Sequence, residues 1–324
     1  MLSQFSYQRA ASIKEAAEAA SRPDVRILAG GTDLLGCLRN QVLQANRLVS
    51  LNGLSALKGI RQGPGGGLRL GALTTLTEIA EHRQILDSYS VLAQAAASVG
   101  SPQLRNQGTL GGNLCQRPRC WYFRGDFKCR RKGGDTCFAE GGDSQLHCIF
   151  GGASCYMVHP SDTAPALVAL DAKVSITGRR GTRLVPLSSF FVLPADSLVK
   201  ETVLQPGEIV TEILLDPPQP GARSAYRKVR ERGAFDFALA GAAIVVAMAE
   251  GKVRTARVVL SGVAPVPWRS TDAEKTIIGK PLDAAVAVAA AAAAVKGASP
   301  LADNGYKVPL VRGILEETLT ALAA

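Results

Sequence analysis

The sequence has few of the residues that acid–base or nucleophilic catalysis requires. Its three histidines, His82, His147 and His159, form neither a paired metal-binding motif nor a Ser–His–Asp order. The chain also lacks the Gly-x-Gly-x-x-Gly turn of nicotinamide-binding folds and the Walker A loop of nucleotide triphosphatases. We therefore expect no catalytic residue of these classes on this chain.

Long hydrophobic runs and export signals are missing as well. The longest apolar run, Ala284–Val295, is mostly alanine and is too short to span a bilayer. The first ten residues are polar and lack the basic-then-apolar pattern of an export signal. The sequence thus predicts no membrane insertion and a cytoplasmic location, unless a partner with an export signal carries a folded complex into the periplasm.

The composition is that of a soluble globular protein with an excess of positive charge. The chain has 324 residues, 47% hydrophobic and 20% charged, with a formal net charge of +10. This length allows two or three domains with buried cores. A basic surface is typical of proteins that bind nucleic acid, an acidic partner or anionic cofactors. Because no zinc finger, helix-turn-helix or RNA-binding pattern is visible, we expect no nucleic acid.

Helices and strands alternate in the first two thirds of the chain. Ser12 and Glu15 form a capping-box pattern before a helix at Ile13–Ala20, and Thr75 and Glu78 form another. Strands are predicted at Val25–Ala29, Arg47–Leu51, Leu68–Ala72, Lys173–Thr177, Thr182–Pro186 and Ile209–Leu215. The last hundred residues contain three further strand candidates and then three helices: Ala225–Glu231, Ala240–Ala249, Val253–Gly262, Asp272–Ile278, Leu282–Val295 and Val308–Ala323. This order predicts an α+β protein with one unit over residues 1–219 and a second over residues 220–324.

Two glycine-rich turns are the first candidates for ligand binding. A strand runs into Gly30–Gly31–Thr32–Asp33, and a second turn covers Gly108–Leu114. Glycines let successive backbone N–H groups converge on one anion, an arrangement that suits a pyrophosphate. Each turn alone is also typical of an ordinary tight turn or loop. Together in one α/β domain, they could hold the two ends of a dinucleotide.

The seven cysteines indicate a metal site rather than disulfides. They are Cys37, Cys115, Cys120, Cys129, Cys137, Cys148 and Cys155, and all but the first lie between residues 115 and 155. An odd count without a secretion signal argues against a disulfide framework. Structural zinc sites usually contain a close Cys-x2–4-Cys pair, which only Cys115 and Cys120 approach. The other thiols are spread more widely, as a cluster larger than a single metal ion allows, and zinc is the alternative.

Three motifs in order resemble one known family. They are Ala-Gly-Gly-Thr-Asp-Leu at residues 29–34, Gln-Leu-Arg-Asn-Gln-Gly-Thr-Leu-Gly-Gly-Asn-Leu at 103–114 and His-Pro-Ser-Asp at 159–162. The chain resembles, over nearly its whole length, the FAD-binding subunits of the xanthine dehydrogenase and aldehyde oxidoreductase family. The match includes Tyr226–Arg230, which opens the C-terminal unit in that family. The resemblance implies a two-part FAD-binding domain of the vanillyl-alcohol-oxidase type. A smaller C-terminal α+β domain of the CO dehydrogenase flavoprotein type, with a three-stranded antiparallel sheet and helices, would follow.

The resemblance also assigns residues to the FAD. The first turn would surround the pyrophosphate, Thr109 and Gly112 would lie near the flavin, and Asp162 would bind a hydroxyl of FAD. Lys228 would lie near the isoalloxazine ring, where a cation stabilises reduced anionic flavin; the alternative is a solvated lysine on a strand. The full set of expected FAD contacts is Arg26, Ile27, Leu28, Ala29, Gly30, Gly31, Thr32, Asp33, Leu34, Thr109, Gly112, Asn113, Asp162 and Lys228.

Residues 115–158 form an insert that simpler subunits of the family lack. It resembles the insert of periplasmic-type aldehyde oxidoreductases and, less closely, that of hydroxybenzoyl-CoA reductases. In both families the insert carries a [4Fe–4S] cluster. The flanking motifs Arg-Cys-x-Tyr-Phe and Cys-x-x-x-His-Pro-Ser-Asp select Cys120 and Cys155 as outer ligands, with Cys129 and Cys137 between them. Cys115 and Cys148 are left over, His147 is an alternative ligand, and Cys37 is expected to be a small buried hydrophobe.

The first half of the insert is strongly basic. Its basic residues are Arg117, Arg119, Arg124, Lys128, Arg130, Arg131 and Lys132. Their charges would offset the negative charge of a thiolate-ligated cluster and raise its reduction potential. A solvated loop, or a docking surface for an acidic partner, is the other interpretation. The insert has little periodicity, so we expect ligation rather than a hydrophobic core to organise it.

The function that the resemblance implies is electron transfer. A molybdopterin-containing large subunit would oxidise an aldehyde or N-heterocycle, and a [2Fe–2S] small subunit would pass the electrons to FAD on this chain and on to an external acceptor. No substrate hydroxylation is expected on this chain. An aldehyde oxidoreductase complex is favoured. The alternatives are a xanthine dehydrogenase or hydroxybenzoyl-CoA reductase type complex, a stand-alone flavin oxidoreductase, or a zinc-stabilised nucleic-acid binder.

Overall fold

The computed structural model describes residues 2–323, and its first unit begins with a small α/β subdomain. This subdomain contains β1 (Ser6–Arg9), α1 (Ile13–Ala20), β2 (Val25–Leu28), α2 (Leu34–Arg39) and β3 (Arg47–Ser50). Its three strands are parallel, in the order β1-β3-β2. The predicted first helix is confirmed, because the Ser12 hydroxyl accepts a hydrogen bond from the Glu15 N–H.

A second subdomain contains a five-stranded antiparallel sheet. Its elements are β4 (Ile60–Gln62), β5 (Leu68–Gly71), α3 (Leu76–Glu81), α4 (Arg83–Ser88), α5 (Ser90–Ala97), α6 (Pro102–Gln107), α7 (Leu110–Leu114), α8 (Trp121–Arg124), α9 (Thr163–Ala169), β6 (Lys173–Gly178), β7 (Gly181–Pro186) and β8 (Ile209–Leu215). The strand order is β4-β5-β8-β6-β7. Because β5 pairs with β8, the second glycine turn and the insert lie within the long connection between two neighbouring strands.

The second glycine-rich segment is more regular than the turn that the sequence predicts. It forms the short helices α6 and α7, which are separated at Gly108. The Ser101 hydroxyl accepts a hydrogen bond from the Leu104 N–H, and the Thr109 hydroxyl accepts one from the Gly112 N–H. These two N-caps stabilise helical turns that the glycine content disfavours.

The C-terminal unit packs three helices on an antiparallel sheet. Its elements are β9 (Ala222–Val229), β10 (Ala240–Ala249), β11 (Lys252–Ser261), β12 (Trp268–Arg269), α10 (Thr271–Ile277), α11 (Ala284–Ala294) and α12 (Lys307–Ala323). The three predicted strands and three predicted helices are confirmed. The expected number of strands is wrong by one, because the two-residue β12 adds an edge strand next to β11. A strand this short, directly after Pro265-Val266-Pro267, has no alternating pattern that sequence could reveal.

Both faces of this C-terminal sheet are covered. Helices α10–α12 pack on one face around residues such as Ile244, Leu260 and Leu315, each 0% exposed. Tyr226 and Val259 belong instead to the core of the preceding unit. Among residues 2–323, no helix has the length and apolar character needed to cross a bilayer.

Aromatic rings pack on one another within the insert, a contribution that the expectation of ligation rather than a hydrophobic core did not include. The Tyr122 ring lies 5.0 Å from Phe127 and 5.8 Å from Phe138, measured between centroids. Trp121 meets the His147 ring edge-on at 5.5 Å. Phe123, 2% exposed, packs beneath the guanidinium groups of Arg117 and Arg131. Aromatic pairs of this kind stabilise an irregular segment beyond the area that they bury.

Candidate functional site

The two glycine segments contact each other backbone to backbone. A Cβ atom on Gly30 would lie 1.8 Å from the carbonyl oxygen of Gln107, so only glycine fits at this crossing. Gly31 has a φ of 74°, the left-handed region that favours glycine. The two turns, which sequence identifies separately, therefore form one continuous cradle.

The cradle presents unpaired backbone donors to open space. Within the described part of the chain, the N–H groups of Gly31, Thr32 and Asp33 have no hydrogen-bond acceptor. Backbone N–H groups without a partner in the chain can donate to water or to a bound ligand. Three successive N–H groups fit an anionic diphosphate.

Two adjoining cavities extend from the cradle. One has a volume of about 260 Å³ and the other about 560 Å³, and Gly31, Thr32 and Thr109 line both. Of the expected FAD contacts, these cavities bring together Ile27, Ala29, Gly30, Gly31, Thr32, Asp33, Leu34, Thr109, Gly112, Asn113 and Asp162.

Three of the expected contacts do not line either cavity. Arg26 and Leu28 alternate with Ile27 and Ala29 along β2 and its end, so their side chains point to the other face. The Arg26 guanidinium donates instead to the carbonyl of Pro23 at 2.6 Å. Lys228 is the third, and its ammonium is buried beside Asp162.

Lys228 and Asp162 form a buried ion pair at the far end of the larger cavity. Lys228 Nζ lies 2.7 Å from Asp162 Oδ2, and the side chains are 3% and 5% exposed. The Tyr226 hydroxyl donates to Asp162 Oδ1 at 2.7 Å. Burial raises the pKa of Asp162, while Lys228 and Tyr226 oppose that rise. The Lys228 ammonium is thus paired with Asp162 inside the fold rather than solvated on the strand.

Asn113 connects the second glycine segment to the Asp162 loop. Its side-chain oxygen accepts hydrogen bonds from Ser161 Oγ at 2.5 Å and from Thr163 Oγ1 at 2.7 Å. The residue is 8% exposed and lines the larger cavity. Asn113 therefore fixes the distance between the cradle and Asp162.

The side chain of Asp33 lines the cavities and also binds the insert. Its carboxylate accepts from the Arg117 N–H at 2.8 Å and from Arg124 Nη2 at 2.8 Å, and it lies 3.0 Å from Arg119 Nη2. The sequence analysis assigned Asp33 to the cofactor and the arginines to the cluster, and it did not connect the two. The one sequence signal for a contact between Asp33 and these arginines was the clustering of arginines near the first thiols.

Carboxylates neutralise part of the insert's positive charge. Glu201 pairs with Arg117 Nε at 2.9 Å and with Arg131, whose side chain is 1% exposed. The basic residues in ion pairs are Arg117, Arg119, Arg124, Arg130 and Arg131. These five arginines share three carboxylates, those of Asp33, Glu140 and Glu201, so an excess of positive charge stays in the insert.

The four predicted ligand thiols are electrostatic neighbours. Burial, with smaller contributions from Cys155 and Cys129, raises the pKa of Cys120 to about 12. Burial also raises the pKa of Cys155, with contributions from Cys137 and Cys129 in the same direction. Within residues 2–323, however, no three Cys, His, Asp or Glu side chains converge closely enough to hold a single metal ion.

The remaining cysteines differ in position. Cys37 is 0% exposed, which confirms the expected buried hydrophobe, and Cys115 packs against the main core. Burial, with smaller contributions from Cys155 and Cys137, raises the pKa of Cys148 to about 12, so this thiol borders the predicted set. His147 Nε2 lies 3.2 Å from the Cys120 sulfur.

A third cavity joins the insert to the cradle side. It has a volume of about 330 Å³, and Cys120, His147 and Asp162 all line it. Arg119 lines this cavity and the 560 Å³ cavity as well. Cys120 thus lines a cavity that neighbours the candidate dinucleotide site and shares Arg119 and Asp162 with it. Residues Glu231 and Asp236–Leu239, which sequence did not single out, line its outer side.

Comparison with known proteins agrees with this geometry. Residues 3–218 match the FAD binding domain in molybdopterin dehydrogenase, and residues 224–322 match the CO dehydrogenase flavoprotein C-terminal domain. The chain belongs to this family of FAD-binding subunits. The resemblance stated from the three motifs is therefore confirmed.

Individual relatives cover almost the whole chain. The aldehyde oxidoreductase FAD-binding subunit PaoB of Escherichia coli is 37% identical, over 99% of this chain and 98% of its own length. A putative xanthine dehydrogenase FAD-binding subunit of the same species is 27% identical, over 98% and 96%. The solved structure of carbon monoxide dehydrogenase from Hydrogenophaga pseudoflava is similar with a TM-score of 0.79 and 26% identity, over 99% of this chain and 98% of that chain. The descriptions of the two Escherichia coli subunits name FAD and no [4Fe–4S] cluster.

Proposed function

We propose that this chain holds FAD in the glycine cradle and transfers electrons within a molybdenum hydroxylase complex that oxidises an aldehyde. The observation that carries the proposal is the cradle itself, where two glycine segments meet and open onto cavities that reach Asp162. The partners are a molybdopterin-containing large subunit and a [2Fe–2S] small subunit, and an external acceptor takes the electrons.

Each part of the site has a separate task in binding FAD. The free N–H groups of Gly31, Thr32 and Asp33 bind the diphosphate, which explains the need for glycine at this point. Asn113 and Thr109 shape the wall between the cradle and Asp162, whose carboxylate binds a hydroxyl of FAD. Bound FAD exchanges one or two electrons and so connects one-electron centres with two-electron acceptors.

The aldehyde class is favoured over the xanthine class by similarity. Identity to the aldehyde oxidoreductase subunit is 37%, against 27% for the xanthine dehydrogenase subunit over the same span. Because the substrate is oxidised on another subunit, this chain influences which electron acceptor is used and not which aldehyde is oxidised. Turnover of an aldehyde by the intact complex, compared with turnover of hypoxanthine, tests the class.

We further propose that Cys120, Cys129, Cys137 and Cys155 hold a [4Fe–4S] cluster in the insert. Their thiols influence one another electrostatically, although they do not converge on one point as the ligands of a single zinc ion would. A four-iron cluster is larger than one ion and takes four thiolates set further apart. Ion pairs to Asp33 and Glu201 hold the insert's arginines around this space.

The first experiment is an absorbance spectrum of the purified complex, with flavin, iron, zinc and acid-labile sulfide measured on the same sample. Flavin with about four iron and four sulfide beyond those of the small subunit supports both assignments. Zinc without the additional sulfide would exclude the cluster and keep the flavin site. A complex with no flavin would refute the proposed function altogether.

Single cysteine variants separate ligands from bystanders. Cys120→Ser and Cys137→Ser should each lose the additional iron. Cys115→Ser is the matched control, because its thiol packs against the main core. Equal iron content in Cys115→Ser and Cys137→Ser would show that the ligand set is wrong.

A further inference from the structure

Arg119 is a basic residue of the insert that lines two cavities of the candidate FAD site. It borders the 560 Å³ cavity, which the glycine cradle also lines, and the 330 Å³ cavity. Among the described residues, no other arginine or lysine lines both. Asp162 lines the same two cavities, and neither residue lines the 260 Å³ cavity. Arg119 therefore lies at the Asp162 end of the site.

Most hydrogen-bond donors of Arg119 have no partner in the chain. Its Nη2 lies 3.0 Å from Asp33 Oδ1 and donates to Gln116 Oε1 at 3.3 Å. Within residues 2–323, neither Nη1 nor the buried Nε has an acceptor. A guanidinium has five N–H groups in one plane, so three of the five are unpaired. Nη1 is thus free to donate to a bound ligand.

The charge of Arg119 is only partly balanced. Asp33 Oδ1 also accepts a hydrogen bond from Arg124 Nη2 at 2.8 Å, so two guanidinium groups share one carboxylate. Among the described residues, Asp33 is the one carboxylate within 4.0 Å of Arg119. An excess of positive charge therefore remains at this part of the cavity wall.

Other acidic residues of the two cavities have basic partners of their own. Asp162 lies 2.7 Å from Lys228 Nζ, and Asp236 lies 3.0 Å from Arg232 Nη2. A cleft with an excess of one charge favours a ligand of the opposite charge. FAD is such a ligand, because its diphosphate is anionic and its isoalloxazine ring becomes anionic when reduced.

An aromatic ring of the C-terminal unit supports the Arg119 guanidinium. Arg119 Cζ lies 4.9 Å from the centroid of the Phe237 ring, within the range of a cation–π contact. Phe237 lies in the connection between β9 and β10, and it lines the same two cavities. The insert and the C-terminal unit thus meet at this contact.

We propose that Arg119 is a binding residue for the isoalloxazine end of FAD, that its charge stabilises the reduced flavin, and that Phe237 positions it. The inference rests on the proposed FAD site and is independent of the proposed cluster. A positive charge favours the charged form of a neighbouring group, so it should favour the anionic reduced flavin over the neutral oxidised one. The insert would then complete the flavin site.

The test measures the midpoint potential of FAD in the intact complex, by redox titration followed by flavin absorbance, together with FAD and iron content. Arg119→Met should lower the equilibrium constant for two-electron reduction at least tenfold, a shift of about 30 mV to lower potential. Arg119→Lys keeps the charge and should restore most of the potential. Lys128→Met removes the same charge from an exposed position of the insert that lines none of the three cavities, and should leave the potential unchanged.

Phe237→Leu removes the ring and keeps the Arg119 charge. Because Phe237 acts through Arg119, this substitution should lower the potential by less than Arg119→Met does, and it should have no further effect in the Arg119→Met background. An equal effect of Phe237→Leu in both backgrounds would refute its positioning role.

Cys120→Ser separates the charge from the integrity of the insert, because it keeps Arg119 and should lose the additional iron. It should not lower the flavin potential. If it lowers the potential as far as Arg119→Met does, the state of the insert is responsible and the proposal is wrong.

The remaining outcomes also decide the question. An unchanged potential in Arg119→Met, or the same fall in Lys128→Met, overturns the proposal. If Arg119→Met is isolated without FAD, retention of FAD in Arg119→Lys supports the need for charge, and loss of FAD in both variants overturns it. Wild-type complex without flavin would instead refute the proposed function itself.

Discussion

Gly30→Ala is the substitution that tests the cradle most directly. A Cβ at this position would lie 1.8 Å from the Gln107 carbonyl oxygen, whereas real Cβ contacts do not fall below 3.0 Å. The two glycine segments must therefore separate. The obstructing atom belongs to the backbone, so no side-chain rotation can relieve the overlap.

The cost of this separation can be estimated. Overpacking a close-packed site costs about 1–3 kcal/mol, and a backbone obstruction lies at the upper end. If bound FAD requires the undistorted cradle, a penalty of about 3 kcal/mol corresponds to an affinity about 100-fold lower. The variant should thus fold and assemble, yet be isolated with little FAD.

The assay is FAD content of the purified complex, with the Kd measured by flavin fluorescence on complex stripped of flavin. Gly53→Ala is the control, because its Cβ would lie 3.8 Å from the nearest atom, in ordinary contact. Full FAD content and an unchanged Kd in Gly30→Ala would refute the argument that this crossing forms the binding site.

Three further predictions concern buried charges. Glu201→Gln should make proteolysis of the insert faster and its iron content lower, because it removes the carboxylate that pairs with the buried Arg131. The control is Glu140→Gln: its side chain is 39% exposed, its ion pair contributes about 0–1 kcal/mol, and neither quantity should change. Lys228→Met should lower the free energy of unfolding by about 3–5 kcal/mol, and adding Asp162→Asn should recover most of it, so strictly additive effects would contradict the pair. Burial lowers the pKa of His159 to about 4, so between pH 6.5 and 4 the unfolded chain binds this proton and the folded chain does not. In urea unfolding, the free energy of unfolding of the wild type should fall by about 3 kcal/mol more than that of His159→Gln as the pH drops through this window. Parallel plots of unfolding free energy against pH for the two proteins would contradict this prediction.

Much of the fold could be predicted because its signals are local. The Ser12 and Thr75 caps marked two helix starts, and the strand candidates of the last hundred residues located the long strands of the C-terminal sheet. The two-residue β12 escaped prediction, since its pairing with β11 comes from a neighbouring strand and not from its own pattern. The short helix α7 escaped it because its two glycines argue against helix, and the capping hydrogen bond of Thr109 outweighs that preference.

The candidate site, like the fold, combines features that the sequence shows with pairings that only the folded chain forms. The sequence by itself determined which residues are fit for the chemistry: glycines where a backbone must approach a ligand, and thiols in one segment. The tertiary structure decided which of them meet. It crossed Gly30 with Gln107, turned the Asp33 carboxylate to the insert's arginines and buried Lys228 against Asp162. These pairings join residues far apart in the chain, and charge neutralisation inside a low-dielectric core is settled only once the chain has folded.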